Sequence, residues 1–272
     1  MDTPKYEDIN VNNYTDLNSK IIDRWIDEGT EWGIPFSHED FVNAQNGNWE
    51  VGLAFDDVPK DWFLPYIDLT TNKFNGTKLL GLASGGGQQM PLLVASGADC
   101  TVLDYSDRQL ASEKFVAERE SYNINIVKGD MSKRLPFDDN SFDIVFHPVS
   151  NCYIEDVYHV WNECYRILKP NGILLAGMIN SATYLFDEPE YENEDILLKY
   201  KLPFNTLDKK EIFDKMIEDD YAIQFSHSLE ELIGGQLKAG LTLTQIVETP
   251  DPNSIISKYF PEYISTRSIK RA

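Results

Sequence analysis

Residues 78–106 read KLLGLASGGGQQMPLLVASGADCTVLDYS, and their order decides the fold. Leu79-Leu80-Gly81-Leu82-Ala83 is an apolar run with the length of a buried parallel strand. Ser84-Gly85-Gly86-Gly87 follows, a turn without a β-carbon at three successive positions. Gln88 to Ser96 is helix-like and breaks at Gly97, and Cys100 to Leu103 is a second strand ending on Asp104. The order is strand, glycine turn, helix, strand, acid. Glycines let a backbone approach a ligand closely, and a helix start offers free N–H groups. An acid at the tip of the next strand can accept two ribose hydroxyls. The stretch therefore implies a nucleoside-containing cofactor.

A dinucleotide fingerprint, G-x-G-x-x-G, fails here, because Gly85 and Gly87 are followed at the third place by Met90. A small-x-Gly-x-Gly pattern, Ala83, Gly85 and Gly87, fits better. A glycine turn can also be purely structural. The acid at Asp104 favours the binding reading, and the rest of the chain has to support it.

The chain of 272 residues accommodates one α/β domain with embellishments, or two small ones. Its net charge of −21 works against phosphate backbones, and no cluster of four or more Lys/Arg supplies a basic footprint. Nucleic acid is a disfavoured substrate. The N-terminus, MDTPKYEDIN, is polar and acidic, unlike a signal peptide, and no apolar run approaches a membrane span. Cys100, Cys152 and Cys164 have neither metal nor disulfide spacing and read as ordinary thiols. These features imply a cytoplasmic protein. No metal site is expected.

Outward from the opening stretch, Ser106 caps a helix to about Ser121, and Ile124 to Val127 is a third strand leading to Gly129-Asp130-Met131. Phe142 to Phe146 is a fourth strand, followed by His147-Pro148-Val149-Ser150-Asn151. Glu155 to Leu168 is a helix ended by Lys169-Pro170-Asn171-Gly172, and Ile173 to Ile179 is a fifth strand. This alternation implies a parallel sheet with right-handed crossovers. Residues 180–228 interrupt it with an acidic, aromatic insert containing Glu188, Glu190, Glu192, Glu194 and Asp195 and a helix near Asp208 to Asp219. The charges read as a solvated face. Ser228-x-x-Glu231 is a capping box for a helix stopped at Gly240, before two strands, Leu241 to Glu248 and Glu262 to Ile269. In residues 1–76, Leu17, Ile21, Ile22, Trp25 and Ile26 share one helical face, and Ser37 with Asp40 starts a second helix. Trp25, Trp32, Trp49 and Trp62 pack this segment on the sheet; alternatively one of them, Trp49 first, lines a cap over the cofactor.

GDM at 129–131, LPFDDNSFDIVF at 135–146 and ECYRILKPNGILL at 163–175, with the glycine turn, resemble the motifs of class I S-adenosylmethionine (SAM) dependent methyltransferases. The resemblance covers about residues 77–180 and is nearest to the group containing ubiquinone and menaquinone C-methyltransferases. LASGGGQQ and HPVSNCYIEDV also look like a bacterial subgroup known only as SAM-dependent methyltransferases. The resemblance implies an α/β, Rossmann-like seven-stranded sheet of order 3-2-1-4-5-7-6, strand seven alone antiparallel and helices on both faces. An N-terminal helical cap at 1–76 would precede a methyltransferase domain at 77–272, with the insert at 180–228 after strand five. The implied activity is methyl transfer from SAM.

By resemblance, Ala83, Ser84, Gly85 and Gly87 approach the methionine portion and ribose. Asp104 holds the ribose hydroxyls with Tyr105 beside the adenine, and Asp130 accepts from the adenine amino group with Met131 packing on the ring. His147 stands where the transferred methyl points. The family's motif I carries an acid where this chain has Gly81, and a glycine where it has Ala83. Gln88 or Gln89 is the suggested substitute partner for the methionine end.

Methyl transfer needs alignment of donor and acceptor, and a base only if the acceptor loses a proton. His147 is the first candidate base and His227 the second, the latter also readable as a loop histidine. Asn151 and Tyr153 follow the fourth strand and could face the acceptor. Cap and insert closing over a small pocket favour a small-molecule acceptor over RNA or protein. The alternatives are a SAM-binding protein without transfer activity and a nicotinamide oxidoreductase.

Overall fold

A computed structural model describes residues 4–186 and 196–272. The acidic run of the insert, Glu188 to Asp195, lies outside the described residues. Seven strands form the main sheet: β1 Lys78–Leu82, β2 Asp99–Asp104, β3 Asn125–Lys128, β4 Phe142–His147, β5 Leu168–Ile179, β6 Leu241–Thr249 and β7 Tyr263–Lys270. Their order is β3-β2-β1-β4-β5-β7-β6. The contacts among β1 to β5 are parallel, and β7 runs antiparallel to both β5 and β6. This is the order and polarity the motifs imply.

Alternation along each central strand sorts side chains onto two faces. On one face Leu79, Cys100, Val102, Ile144, Phe146, Ile173 and Leu175 meet helix α3, Gln89–Ala95, through Met90, Leu92 and Leu93. On the other, Leu80, Leu82, Leu103, Val145, Leu174 and Met178 meet helix α5, Val157–Ile167, through Val157, Val160, Trp161, Cys164 and Ile167. Two further helices flank the amino-terminal side: α1, Tyr14–Asp27, and α2, His38–Gln45, the latter started by the Ser37–Asp40 capping box. Helix α4, Asp107–Glu120, starts where Ser106 Oγ accepts the Gln109 N–H at 3.1 Å.

The N-terminal segment divides into two parts with different jobs. Residues 44–74 complete the first core face: Trp49, Val51, Leu53, Trp62, Phe63, Ile67 and Phe74 are buried there. The Arg267 guanidinium of β7 reaches across to donate to the carbonyls of Trp62 and Leu64 at 2.7 and 2.6 Å. Trp49 sits among Phe63 and Phe74, which is the packing alternative of the two readings for it. Residues 5–36 instead cross the carboxyl ends of the strands.

Two local features differ from the sequence expectation. Lys169-Pro170-Asn171-Gly172 does not separate helix from strand; β5 starts at Leu168 and passes through it with a register shift against β4. Asn171 takes the left-handed conformation, φ +67°, that the detour needs. The capping box at Ser228 opens a π-turn, Glu230–Gly234, before the short helix α7, Gly235–Lys238. Trp161 explains the widening. Its indole N–H takes the Glu231 carbonyl at 3.0 Å, and a β-carbon on Gly235 would lie 2.6 Å from its ring. The helix of the insert, α6, spans Lys210–Glu218.

Candidate functional site

The glycine turn leaves β1 at Ala83, whose φ of +48° is unusual for a residue with a β-carbon. Its N–H donates to the Leu103 carbonyl at 2.7 Å, which ties the turn to β2. Gly85 N–H donates to Asp104 Oδ2 at 3.1 Å, and Ser106 N–H to Asp104 Oδ1 at 2.9 Å. The acid is thus held in one orientation by the backbone. Burial raises its pKa above the usual carboxylate value, opposed by these hydrogen bonds.

The glycines are required by close packing as well as by any ligand. A β-carbon on Gly85 would stand 2.7 Å from Gln109 Cβ of α4, and one on Gly86 2.8 Å from the Trp32 carbonyl. Gly87, at φ +71°, would place its β-carbon 2.8 Å from Val116. Gly81 has a similar cause. A β-carbon there would lie 2.5 Å from Met90 Sδ, so an acid at this position would displace the core methionine.

Helix α1 lies over the tips of β2 and β3. Thr15 Oγ1 donates to Asp130 Oδ2 at 2.9 Å, and Ser19 Oγ donates to the Tyr105 carbonyl at 2.9 Å. Tyr105 OH donates to Asp16 Oδ1 at 2.5 Å, which with partial burial pushes the phenol up to about 12. Asp23 accepts from Ser106 Oγ and from Arg108 N–H at 2.6 and 2.9 Å. Gln88 gives both amide protons to the cover, to the Glu31 and Ile34 carbonyls, each at 2.9 Å. Gln89 is the first residue of α3. Met131 is buried behind Asp130, whose Oδ1 accepts the Ser132 N–H at 2.8 Å.

His147 ends β4 and is fully buried. A carbonyl can only accept, so the 2.9 Å contact to Leu82 O places a proton on Nδ1. Nε2 is then a lone pair, and it has no partner. Burial depresses the pKa to about 4, so the ring is neutral at pH 7. Its edge meets Trp161 with centroids 6.0 Å apart. Asn151 and His227 are struts: Asn151 Nδ2 donates to the Gly177 carbonyl at 2.9 Å, and His227 Nε2 to the Ile154 carbonyl at 2.8 Å. Tyr153 stands with Cys152, Tyr184 and Tyr263, where burial drives the phenols up and the Cys152 thiol to about 12. Tyr184 OH donates to Gln224 Oε1 at 2.8 Å.

Sequence reasoning missed Glu113, Tyr184, Tyr263 and the polar side chains of α1. Glu113 had a visible signal, an acid in the apolar stripe Leu110–Glu113–Ala117 of a helix. Thr15, Ser19 and Asp23 likewise repeat every four residues, which marks one polar helical stripe. Tyr184 and Tyr263 come together only through tertiary folding.

The fit to a nucleoside-bearing, cationic cofactor rests on buried polar atoms without partners. Ser84 Oγ, Gln109 Oε1, Ser132 Oγ and His147 Nε2 are four of these; the first three follow β1, β2 and β3 in the chain, and His147 is the last residue of β4. Buried polar groups ordinarily find partners. Four at the carboxyl edge of a parallel sheet suit the crevice where α/β folds take ligands.

Comparison with known proteins agrees. Residues 80–176 match the model of a methyltransferase domain. The chain is 42% identical over 258 residues to an uncharacterized methyltransferase, YbaJ, of Bacillus subtilis, covering 93% of this chain and 97% of the relative. It is 29% identical over 138 residues to a sterol 24-C-methyltransferase of Pneumocystis carinii, a match spanning 48% of this chain and 35% of that enzyme. Among solved structures, a SAM-dependent methyltransferase from Mesorhizobium loti superposes with a TM-score of 0.57 at 16% identity, over 78% of this chain and 98% of the other. The [4+2]-cyclase SpnF shares the fold with a TM-score of 0.51 at 17% identity, over 78% and 80% of the two chains. With the strand order, the glycine turn and a relative matched along nearly its whole length, the chain belongs to the class I SAM-dependent methyltransferases and takes S-adenosylmethionine as its cofactor.

Proposed function

We propose that the protein methylates a small molecule held at the carboxyl ends of β4 and β5, beneath a roof built jointly by residues 5–36 and the insert. The roof is the observation that carries this reading. Asn18 Nδ2 donates to the Ile223 carbonyl at 2.9 Å while its Oδ1 accepts the Ile223 N–H at 2.8 Å. Tyr14, Phe213, Ile223 and Phe225 form one apolar cluster from both segments. Phe225 N–H reaches down to the Cys152 carbonyl at 2.8 Å, and Ser181 Oγ donates to the His227 carbonyl. Two segments joined this closely over the strand tips favour an acceptor small enough to be enclosed. The charge of −21 argues the same way against RNA. In this reading residues 1–76 serve the methyltransferase domain at 77–272 as cover and as part of its core.

When bound, S-adenosylmethionine supplies an electrophilic methyl for in-line displacement. The residues proposed to hold it are Ala83, Ser84, Gly85 and Gly87 along the methionine and ribose, Asp104 on the ribose hydroxyls, and Tyr105, Asp130 and Met131 around the adenine. Gln88 and Gln89 follow the turn, Gln88 acting through the cover it binds. His147 Nε2, Tyr153, Tyr184 and Tyr263 orient the acceptor. A neutral imidazole with a pKa near 4 is a hydrogen-bond acceptor first and a weak base second. Asn151 fixes the loop that carries Tyr153. Three free, buried cysteines support a reducing compartment such as the cytoplasm. Among the described residues no helix is long and apolar enough to cross a membrane.

The test is S-adenosylhomocysteine release by the purified protein against fractionated metabolites, bulk RNA and protein. Turnover confined to a small-molecule fraction is expected; turnover only with RNA or protein overturns the reading.

A further inference from the structure

Glu113 lies in the middle of α4, behind the glycine turn, and is 0% exposed. Its Oε1 accepts the Gly87 N–H at 2.8 Å, and its Oε2 has no partner. Three other titratable groups stand near it: Cys100 and Asp104 of β2, and Tyr122 beyond the end of α4. None is a cation. The nearby Arg119 guanidinium is taken up by the Phe36 carbonyl and Glu120. An apolar side chain could fill this place without desolvating a carboxyl. What the carboxyl adds is a fixed direction for one peptide of the turn.

That direction has a chemical consequence. A trans peptide is planar, with its N–H and C=O on opposite sides. Turning Gly87 N–H back toward α4 turns the Gly86 carbonyl to the other side of the turn. The Gly87 carbonyl is meanwhile fixed by Phe36 N–H at 3.0 Å. Gly87 is therefore gripped by helix α4 at its N–H and by the cover at its carbonyl. The chain has Gly81, packed against the Met90 side chain, and no acid at that position, so a carbonyl dipole is a negative group the turn can offer to a cationic ligand.

We propose that Glu113 is a positioning residue for S-adenosylmethionine: through Gly87 it orients the glycine turn so that a backbone carbonyl faces the cationic methionine end. The inference rests on the reading that the glycine turn holds the cofactor. Burial pushes the Glu113 carboxyl up to about 8, so at neutral pH it acts as a neutral acceptor. Above that it ionises, accepts more strongly from Gly87 and adds negative charge near a cation. Cys100 and Tyr122 are driven upward and stay protonated across this range.

The experiment is calorimetry of S-adenosylmethionine binding to the full chain, with thermal unfolding measured in parallel. Glu113→Leu is expected to weaken binding about tenfold or more, with the unfolding temperature unchanged or raised. Glu113→Gln keeps an oxygen acceptor for Gly87 and is expected to bind within about threefold of the wild type at pH 7. From pH 7 to 9 the wild type should gain about threefold or more over Glu113→Gln, a ratio in which the titration of the ligand and of Asp104 cancels. Wild-type affinity in Glu113→Leu overturns the proposal. So does equal loss in both variants accompanied by a drop in unfolding temperature, which is a structural role. If Glu113→Leu does not fold, a flat ratio from pH 7 to 9 is the overturning result. Gly85→Val separates the two levels. Loss of binding in Gly85→Val but not in Glu113→Leu sinks only the Glu113 proposal, whereas unimpaired binding in both removes the turn itself from the cofactor site.

Discussion

On the β1–β3 side of the proposed site, the groups proposed to face the cofactor are set by backbone and near neighbours. Asp104 is fixed by the N–H groups of Gly85 and Ser106, and the glycines by the face of α4 they touch. On the β4–β5 side the corresponding groups are side chains from distant parts of the chain: His147, Tyr153, Tyr184 and Tyr263, under a roof pinned by the Asn18–Ile223 pair. In the proposed site one half presents a rigid turn, the other packed phenols and a neutral imidazole. The first suits a constant ligand, the second an acceptor that differs between enzymes of one fold.

The sharpest way to break that contrast is Gly85→Val. Its side chain would meet Gln109 and the Asp104 carboxylate, so it should abolish cofactor binding, a loss of about 100-fold or more, while leaving the β4–β5 half folded. Calorimetry with S-adenosylmethionine checks it, with near-ultraviolet dichroism reporting the phenols. Affinity within threefold of wild type would mean that the turn is not the rigid half.

Asp104→Ala comes next. It removes the acid but not the turn, and strands the N–H groups of Gly85 and Ser106. A fall of about 10- to 100-fold in affinity is expected, the scale of one or two hydrogen bonds to a charged group. Deoxyadenosyl analogues should separate the causes: a ribose-binding acid predicts that the variant no longer distinguishes ligands lacking the hydroxyls.

The same contrast governs what could be read without coordinates. The glycine turn and Asp104 lie within one continuous stretch and stand out as local pattern; alternating strands and helices imply a parallel sheet, and its strand order follows from the family resemblance. In residues 44–74 the tryptophans implied packing on the sheet, but with no periodic element the partners were not legible: Trp49 and Phe63 meet each other and Phe74, and Leu53 backs onto Gly177 of β5. The π-turn at Glu230 was hidden for a related reason. Its sequence carries an ordinary helix start, and the widening depends on Trp161 from another helix. Tyr184 and Tyr263 belong to the adaptable half and have no sequence neighbours that betray them.

Two buried titratable groups sharpen the comparison through pH. The pKa of Glu113 is raised in the fold, so the stability it contributes is lost as pH rises from about 4.5 toward 8. The pKa of His147 is lowered from 6.5 to about 4, so its contribution is present above pH 6.5 and is lost as pH falls toward 4. His147→Gln should therefore shrink the loss of stability between pH 7 and 4.5 by on the order of 2 kcal/mol relative to wild type, whereas Glu113→Gln should deepen that loss, because it removes the opposing gain made as the raised carboxyl protonates. Urea unfolding at the two pH values measures it. An unchanged acid limb in His147→Gln would place the imidazole in a wetter environment than its burial implies.

Gln88→Ala probes the seam between the halves and should have the smallest effect. The side chain gives two hydrogen bonds to the cover, at Glu31 and Ile34, and it directly follows Gly87. Losing them leaves the turn intact but loosens the cover, at a cost of about 1 kcal/mol for exposed, neutral hydrogen bonds. Cofactor affinity should fall about fivefold, mainly through faster dissociation, because an ordered cover delays escape more than it aids entry. Stopped-flow dissociation of S-adenosylmethionine reads this directly. A slower association rate with unchanged dissociation would show instead that Gln88 shapes the empty turn, and the cover would then count as part of the rigid half.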